Sequence, residues 1–302
     1  MELRDIEIFL TLAEELHFGR TAARLYVSVT RVSQAIKKQE REVGARLFDR
    51  DSRNVTLTPI GEQLRDDLQP VYLGLRNGME RARQAARGVT GRLRVGMIPH
   101  NAHDLKPIWD AFRTAHPQWE LRIQHNPYID AFEPLRNGEI DALISWLPIE
   151  EPDLTVGPVV FTEPKMLIVP VDHPLAGQGP VSIEVIGERG VVAGGLPVPL
   201  LDYWVDAYTP FYTPKGRAVE RHPTPNRSVD DIFTAVGTGE GIHLMNAHMH
   251  RYHPRPDVVF TPLKERSQLR FGLVWRTNAE TEPVRALARI VRELGPAALY
   301  EP

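Results

Sequence analysis

The amino-terminal part of the chain repeats apolar residues with the period of short helices. From Leu3 to Leu16 they recur every three or four positions, which is typical of an amphipathic helix. A second short helix is predicted over residues 20–25, and Ser28 is a natural N-cap for a third helix that continues to Val43. Three short helices with a tight turn between the second and the third predict a helix-turn-helix.

A hairpin and a long helix are predicted next. Apolar residues at 47–48 and at 55 and 57 flank a polar turn, a pattern that predicts a β-hairpin, or wing. Thr58 and Pro59 suit the cap and the first position of the following helix, which would be roughly 45 Å long. Its apolar stripe predicts contact with a second copy of the chain, in a homodimer or homotetramer; the alternative is packing within one chain. The stripe residues assigned to dimerisation are Leu64, Leu68, Leu75 and Met79.

After residue 91 the pattern changes to short apolar runs that alternate with helical segments. Helices are predicted over 105–115, 131–136 and 281–294. This alternation predicts an α/β fold with a largely parallel sheet. The predicted strands lie at 93–98, 120–125, 140–146, 166–171, 190–194, 241–245 and 269–275.

Composition limits the class of protein. A chain of 302 residues with 42% hydrophobic residues has room for two or three domains with their own cores. Because the sequence contains no cysteine, it has no disulfide, thiolate metal ligand or catalytic thiol, which fits a reducing compartment. The first residues do not follow a signal-peptide pattern, and no run of about 18 apolar residues occurs. We therefore expect a cytoplasmic protein without a membrane partner.

The charges are unevenly distributed along the chain. The net charge of −3 divides into +3 for residues 1–92 and −6 for the remainder. Residues 20–53 alone hold nine Lys and Arg against four Asp and Glu. A local excess of this kind attracts a phosphate backbone, and its alternative interpretation is a solvated helix face.

The third predicted helix carries the candidate DNA-reading residues. The fork of Arg31 suits a guanine edge, Gln34 suits an adenine or a phosphate, and Val29 suits a thymine methyl group. The alternative for each of them is an ordinary exposed side chain. The residues assigned to DNA binding are Ser28, Val29, Thr30, Arg31, Ser33, Gln34, Lys37, Lys38, Arg50 and Arg53.

Enzyme chemistry finds no positive support in the sequence. The glycines of VGTGEG at 236–241 follow a predicted helix and precede a strand, the reverse of a nucleotide-binding fingerprint, so they indicate helix termination. Histidines crowd HLMNAHMHRYH, but carboxylate or thiolate partners at ligand spacing are missing, so we expect no metal and no other cofactor. The sequence has no nucleophile elbow, HExxH motif or Walker loop.

Residues 3–62, about a fifth of the chain, resemble a known family. The segment FLTLAEELHFGRTAARLYVSVTRVSQAIKKQEREVGARLFDRDSRNVTLTPIGE is similar to the winged helix-turn-helix of LysR-type transcriptional regulators. At Val29, Thr30 and Arg31 the sequence departs from the common Gln, Pro and Ala of that family. The positions that match the family pattern are Phe18, Ala22, Ala23, Leu25, Ser28, Ser33, Ile36, Glu40, Gly44, Leu47, Phe48, Arg50, Leu57, Thr58 and Gly61.

The resemblance continues more weakly through GRLRVGMI, LRNGEIDALI, IVPVDHPLA and AVGTGEGIHLM. It implies a two-lobed effector domain like that of periplasmic solute-binding proteins, with lobe I at 92–163 and 267–302 and lobe II at 164–266. Ligands of such folds bind between the lobes, at strand ends and helix starts. We expect Trp146 to stack on a ring and His100 or Arg227 to meet a carboxylate, with lobe packing as the alternative. The residues assigned to effector binding are His100, Asn101, Ser145, Trp146, Gly194, Gly195 and Arg227.

The sequence thus predicts a DNA-binding transcriptional regulator controlled by a small-molecule inducer. Its expected parts are a winged helix-turn-helix at 1–58, a dimerisation helix and hinge at 59–91, and an effector domain at 92–302. The expected partners are double-stranded DNA, further copies of the chain, a small effector and RNA polymerase. A rival interpretation is a transport or sensing protein whose first section is only an interaction module. The absence of a signal-peptide pattern and the intact helix-turn-helix count against that rival.

Overall fold

The computed structural model describes residues 2–50, 55–85, 91–193, 201–224, 228–265 and 267–300. The chain forms two compact units, Met1–Arg87 and Gly88–Pro302. No helix in these described ranges is both long and apolar enough to cross a membrane.

The first unit is a winged helix-turn-helix followed by a long helix, as the apolar pattern predicts. Its wing strands pair antiparallel, and its core is formed by side chains from all three short helices and the first strand, including Phe9, Leu12, Ile36 and Phe48. The elements are α1 (Leu3–Glu15), α2 (Phe18–Arg24), α3 (Val29–Val43), β1 (Phe48–Arg50), β2 (Val55–Leu57) and α4 (Pro59–Ala85).

Local hydrogen bonds and glycines fix the boundaries of α3 and α4. The Ser28 hydroxyl accepts the backbone N–H of Arg31 at 3.1 Å and caps α3, and the Thr58 hydroxyl accepts the backbone N–H of Gly61 at 3.0 Å. A side chain at residue 61 is sterically excluded, because its Cβ would lie 2.1 Å from the carbonyl oxygen of Leu47. The start of α4 therefore packs closely against the backbone of the winged helix-turn-helix at Leu47.

The apolar stripe of α4 has two different environments. Leu64 and Leu68, together with Tyr72, pack against the winged helix-turn-helix core of their own chain. Leu75 and Met79 are about half exposed, at 48% and 52%. Leu64 and Leu68 thus contact their own chain while remaining partly exposed, whereas Leu75 and Met79 leave about half of each side chain exposed.

The second unit contains mixed sheets and short helices. The helices are α5 (Lys106–Ala115), α6 (Glu133–Arg136), α7 (Val185–Arg189), α8 (Asp202–Tyr208), α9 (Val229–Gly237), α10 (Met249–Tyr252) and α11 (Glu282–Leu294). The strands are β3 (Gly91–Met97), β4 (Trp119–His125), β5 (Ala142–Trp146), β6 (Leu154–Pro170), β7 (Val191–Val192), β8 (Arg221–His222), β9 (His243–Asn246), β10 (Val258–Pro262), β11 (Gln268–Arg276) and β12 (Ala297–Ala298).

The prediction of a largely parallel sheet is wrong. The main sheet follows the order β10-β6-β11-β5-β3-β4; β3 pairs parallel with β4 and β5, but β11 runs antiparallel to both β5 and β6. The strands β9 and β10 also pair antiparallel with β6. The sheet is mixed because β11, which comes late in the chain, inserts between β5 and β6 in the antiparallel direction. A parallel strand would have required a crossover connection, usually a helix.

The long strand β6 leads from one hydrophobic core of the second unit to two others. Up to Pro164 it pairs with β11, and from Lys165 onward it pairs with β9. One core collects residues from 93–161 and 269–291 together with Trp204, whereas the others lie within 167–263. We call these two parts lobe I and lobe II; they meet where β6 changes its partners.

Candidate DNA-binding and effector-binding sites

One face of α3 is exposed and polar. Val32, Ala35, Ile36 and Gln39 are buried against the core, so residues on the opposite side of the helix remain in contact with solvent. Among the predicted DNA-binding residues, this exposed face carries Ser28, Val29, Thr30, Gln34 and Lys37, with Ser33 partly exposed.

Two of the predicted DNA-binding cations are held by a buried carboxylate. The guanidinium of Arg31 donates to Oδ1 of Asp5 at 2.8 Å, and the ammonium of Lys38 donates to Oδ2 at 3.1 Å. Burial raises the pKa of Asp5, but the hydrogen bonds from Arg31 and Lys38 outweigh it and hold that pKa below its usual value. Arg31 and Lys38 are still 39% and 40% exposed, so their position is fixed while part of each remains accessible.

A cavity of about 570 Å³ lies between the two lobes of the second unit. This volume suits a small organic molecule. Its apolar wall includes Ile98, Val205, Phe211, Ile232, Met245, Met249 and Phe271. Its polar lining includes His100, His125, Tyr128, Arg221, His243 and Asn246.

Trp146 lines the cavity, but one face of its indole is already covered. It stacks on Trp204 of α8 with ring centroids 3.7 Å apart and planes 7° from parallel. Each indole N–H donates to the backbone carbonyl of the other residue, at 3.0 and 3.1 Å. In this structure Trp146 of β5 therefore stacks on a ring of the protein itself, and the pair holds α8 against the core of lobe I.

Three imidazole rings lie close together at the cavity wall. The rings of His125 and His253 lie 4.5 and 5.0 Å from the ring of His100. Burial, with the neighbouring histidines, lowers the pKa of His100 to about 4. His100 can therefore meet a carboxylate at neutral pH through a hydrogen bond but not through a positive charge. Among the described residues, no group of three or more side chains has the arrangement of a metal site.

A buried His–Glu pair ties the lobes together near the crossing of β6. The backbone N–H of His100 donates to Nε2 of His248 at 3.3 Å, which leaves the proton of the neutral ring on Nδ1. That nitrogen donates to Oε1 of Glu163 at 2.7 Å, and Glu163 also accepts from the side-chain amide of Asn246 at 3.0 Å. The segment that follows β3 in lobe I, the strand β6 and lobe II thus share one hydrogen-bond network.

Both units match families of known proteins. Residues 3–62 match the family described as bacterial regulatory helix-turn-helix protein, lysR family. Residues 86–296 match the LysR substrate binding domain. The chain belongs to the LysR family. It is a transcriptional regulator with a helix-turn-helix DNA-binding domain and an effector-binding domain, and the relatives it matches are regulators rather than enzymes.

Individual LysR-family relatives match over nearly the whole chain. The HTH-type transcriptional regulator YnfL of Escherichia coli (strain K12) is 29% identical, over 96% of this chain and 97% of its own. XapR from the same organism is 29% identical over 96% of this chain and 98% of its own. The crystal structure of full-length CbnR with its target DNA has a TM-score of 0.67 at 18% identity, over 98% of this chain and 100% of that chain, which shows a shared fold.

The effector residues predicted for this LysR-family chain fall into three groups. His100 and Trp146 line the cavity. Asn101 and Ser145 are fully buried and are absent from its lining; the Ser145 hydroxyl donates to the backbone carbonyl of Trp146 at 3.2 Å. Ser145 is thus part of the core because successive strand residues face opposite sides. Gly194, Gly195 and Arg227 lie outside the described residues, as does Arg53 among the predicted DNA contacts.

Sequence reasoning missed three polar residues of the cavity. Arg221, His243 and Asn246 each present a buried polar atom without a hydrogen-bond partner among the described residues. The sequence around His243 indicates only crowded histidines without metal-ligand spacing, and Arg221 belongs to a strand of two residues. A two-residue strand gives no periodicity, so the sequence held no signal for Arg221.

Proposed function

We propose that this regulator binds an operator as a homodimer or homotetramer in the cytoplasm, and that a small molecule in the cavity between the lobes controls that binding. The observation that supports the DNA half most strongly is the exposed face of α3. The observation that supports effector binding is a cavity of about 570 Å³ whose lining includes buried polar atoms without a hydrogen-bond partner among the described residues. Ligand and DNA are linked thermodynamically: a ligand that prefers one arrangement of the protein shifts the population towards it.

For the DNA half, we propose that α3 enters the major groove. Gln34 and Val29 are exposed near the amino-terminal end of α3, where base edges are contacted in this motif. Arg31 uses one of its donors on Asp5, which leaves other donors of the fork for a guanine. Lys37 and Lys38 contact phosphates, and we assign the same role to Arg50 and Arg53 of the wing. RNA polymerase is a further proposed partner at the promoter.

Selection of operators from a random DNA library, followed by affinity measurement, tests this half. Arg31→Ala is expected to reduce affinity for the preferred site roughly 5- to 150-fold and to relax preference at one base pair. Lys37→Ala is expected to weaken all sequences alike and to flatten the salt dependence. Equal, sequence-independent losses for both variants would make Arg31 a phosphate contact instead.

For assembly, we propose that the exposed part of α4 packs against a second copy. Val71, Leu75 and Met79 recur every four residues and are 66%, 48% and 52% exposed. An unpaired charge buried at such a seam is costly, so Leu75→Glu is expected to give a monomer. The control Gln63→Glu adds the same charge at an exposed polar position of the helix. A Leu75→Glu protein that remains a dimer in light scattering would remove this surface from the interface.

For the effector half, a substitution that fills the cavity tests the location of the site. Val205 is partly exposed and lines the cavity, so Val205→Trp is expected to block it. The control Val171→Trp introduces the same bulk at a residue of lobe II that is 55% exposed and absent from the lining. Metabolites that raise the melting temperature of the wild type should fail with Val205→Trp and succeed with Val171→Trp. Equal responses of both variants would exclude the cavity as the effector site.

A further inference from the structure

Three unpartnered polar atoms of lobe II define what the cavity binds. Arg221 is the only arginine or lysine among the described residues that line it, and its Nε is buried without a hydrogen-bond partner in the described part of the chain. Nδ1 of His243 and Oδ1 of Asn246 are in the same condition. Buried polar groups are normally hydrogen-bonded, so three such atoms at one cavity indicate a ligand that satisfies them.

Arg221 is held rigidly but without a counter-ion. Its Nη2 donates to the backbone carbonyl of Thr209 at 2.5 Å, and its guanidinium lies over the ring of Phe211 at 4.3 Å from the centroid. No carboxylate of the described residues lies within ion-pair distance of it, and Asp206 and Asp202 act on its charge only from farther away. Burial lowers the pKa of Arg221, which means that the charged form is less stable there than in water, although arginine remains protonated. An anionic group next to Nε would supply the missing charge and acceptor.

His243 and Asn246 each offer a hydrogen-bond acceptor, so they require a donor on the ligand. Burial lowers the pKa of His243 to about 4, so its ring is neutral at pH 7. The backbone carbonyl of Val192 lies near the ring, and Nδ1 has no hydrogen-bond partner in the described part of the chain. A neutral histidine ring carries its proton on one nitrogen and accepts at the other, and we assign the proton to Nε2. Nδ1 is then a bare acceptor. The amide of Asn246 donates to Glu163 at 3.0 Å, which leaves its oxygen as a second acceptor.

We propose that the effector is a small hydroxylated ring carboxylate, with its acid group on Arg221 and its hydroxyl groups donating to His243 and Asn246. This inference rests on the proposed effector site. The apolar wall of the cavity fits the ring, because it supplies aliphatic and aromatic side chains around the polar corner. Asp202 and Asp230 also line the cavity, but they are exposed at its rim, so the acid group is favoured at Arg221 and not at the entrance.

Ligand binding to the full-length protein tests the chemistry. The probes are hydroxybenzoates and hydroxycyclohexanecarboxylates, each with its carboxamide and with the parent acid that lacks the hydroxyl. Hydroxylated acids are expected to raise the melting temperature, and the carboxamides are not. By calorimetry, Arg221→Gln should weaken an acid roughly 10- to 100-fold, as the loss of a charge-assisted hydrogen bond does. The control Arg217→Gln, at an exposed arginine of the same lobe, should leave the affinity unchanged.

Two further variants separate a binding defect from a folding defect. Arg221→Lys keeps the positive charge and should recover part of the affinity for an acid. His243→Phe removes the acceptor and should weaken the hydroxylated acids while leaving the parent acids unaffected. Circular dichroism of each variant checks that the fold is intact.

The inference is overturned if carboxamides bind as well as the acids, if no acid of the panel binds, or if Arg221→Gln leaves the affinity unchanged. The cavity-filling variant distinguishes this from failure of the proposed effector site. If ligand binding is lost in Val205→Trp but unchanged in Arg221→Gln, the cavity remains the effector site and the proposed ligand chemistry is rejected. Ligands that are indifferent to Val205→Trp would reject the site itself.

Discussion

The exposed face of α3 and the cavity of the second unit differ in how they are built. Most of the side chains that we propose for DNA contact lie on or next to one helix, within residues 28–38, and most of these are exposed. The cavity takes its polar atoms from strands and helices far apart in the chain and buries them. An exposed face can change residue by residue without affecting stability, whereas a buried site is inseparable from the packing around it.

The stacked indoles should give the largest effect. Trp146→Ala removes the ring stack and both reciprocal hydrogen bonds, so it is expected to lower the free energy of unfolding of the second unit by about 3 to 5 kcal/mol. Trp146→Phe keeps an aromatic ring and should cost less. All five tryptophans lie in the second unit, so tryptophan fluorescence during urea unfolding follows that unit alone. A loss below about 1 kcal/mol for Trp146→Ala would show that the pair is dispensable for stability.

The two units should also respond to acid in different pH ranges. The pKa values of His100 and His243 are about 4 in the folded protein, below the ordinary value of 6.5. The unfolded chain therefore takes up protons first, and stability that is fully present above pH 6.5 is lost as the pH falls towards 4. We expect a decrease on the order of 2 kcal/mol for each histidine in the second unit.

His100→Gln should flatten this pH dependence, and His103→Gln, at an exposed histidine of the same loop, should not. The measurement is the free energy of unfolding by tryptophan fluorescence between pH 7 and pH 4. The same slope in the wild type and in His100→Gln would assign the acid sensitivity to other groups.

In the first unit the corresponding loss should begin at lower pH. The pKa of Asp5 is held below its ordinary value of 3.8, so its contribution is present above that pH and disappears as the pH falls through the folded-state pKa. Asp5→Asn is expected to cost about 1 to 2 kcal/mol at pH 7, because solvent screens the partly exposed Arg31 and Lys38.

Hydrogen exchange of the α3 amides measures the effect of Asp5→Asn. The control Asp66→Asn removes a carboxylate that is 65% exposed and should change little. If Asp5→Asn exchanges like the wild type at pH 7, the buried carboxylate positions the two cations without stabilising the unit.

The smallest stability effect is expected on the exposed face. Gln34→Ala should change the free energy of unfolding by less than about 0.5 kcal/mol while reducing affinity for the operator. Gln39→Ala is the matched variant on the buried side of α3, where the side-chain amide donates to the backbone carbonyl of Asp5 at 2.6 Å, and it should cost about 1 to 3 kcal/mol. Similar losses of stability for the two glutamines would remove the proposed difference between the faces.

The sequence by itself determined the first unit well. Its helices, its wing and the caps at Ser28 and Thr58 are local, since each depends on residues a few positions apart. The burial of Val32 and Ile36 follows from the helical period alone. What the periodicity could not decide is that Arg31 and Lys38 share a carboxylate on another helix, because that contact joins residues 26 and 33 positions apart.

In the second unit, tertiary structure decided most of the site. Periodicity found the strand that ends at Trp146 but not its partner Trp204, which lies 58 positions away. The same limit explains the mixed sheet, because strand direction depends on where β11 returns and not on its own apolar pattern. Arg221, His243 and Asn246 became recognisable as candidate ligand contacts only through burial, because each has a buried polar atom without a hydrogen-bond partner among the described residues. Burial is a property of the folded chain. The sequence pattern predicts burial only in helices and strands that are long enough for their apolar positions to recur with a regular period.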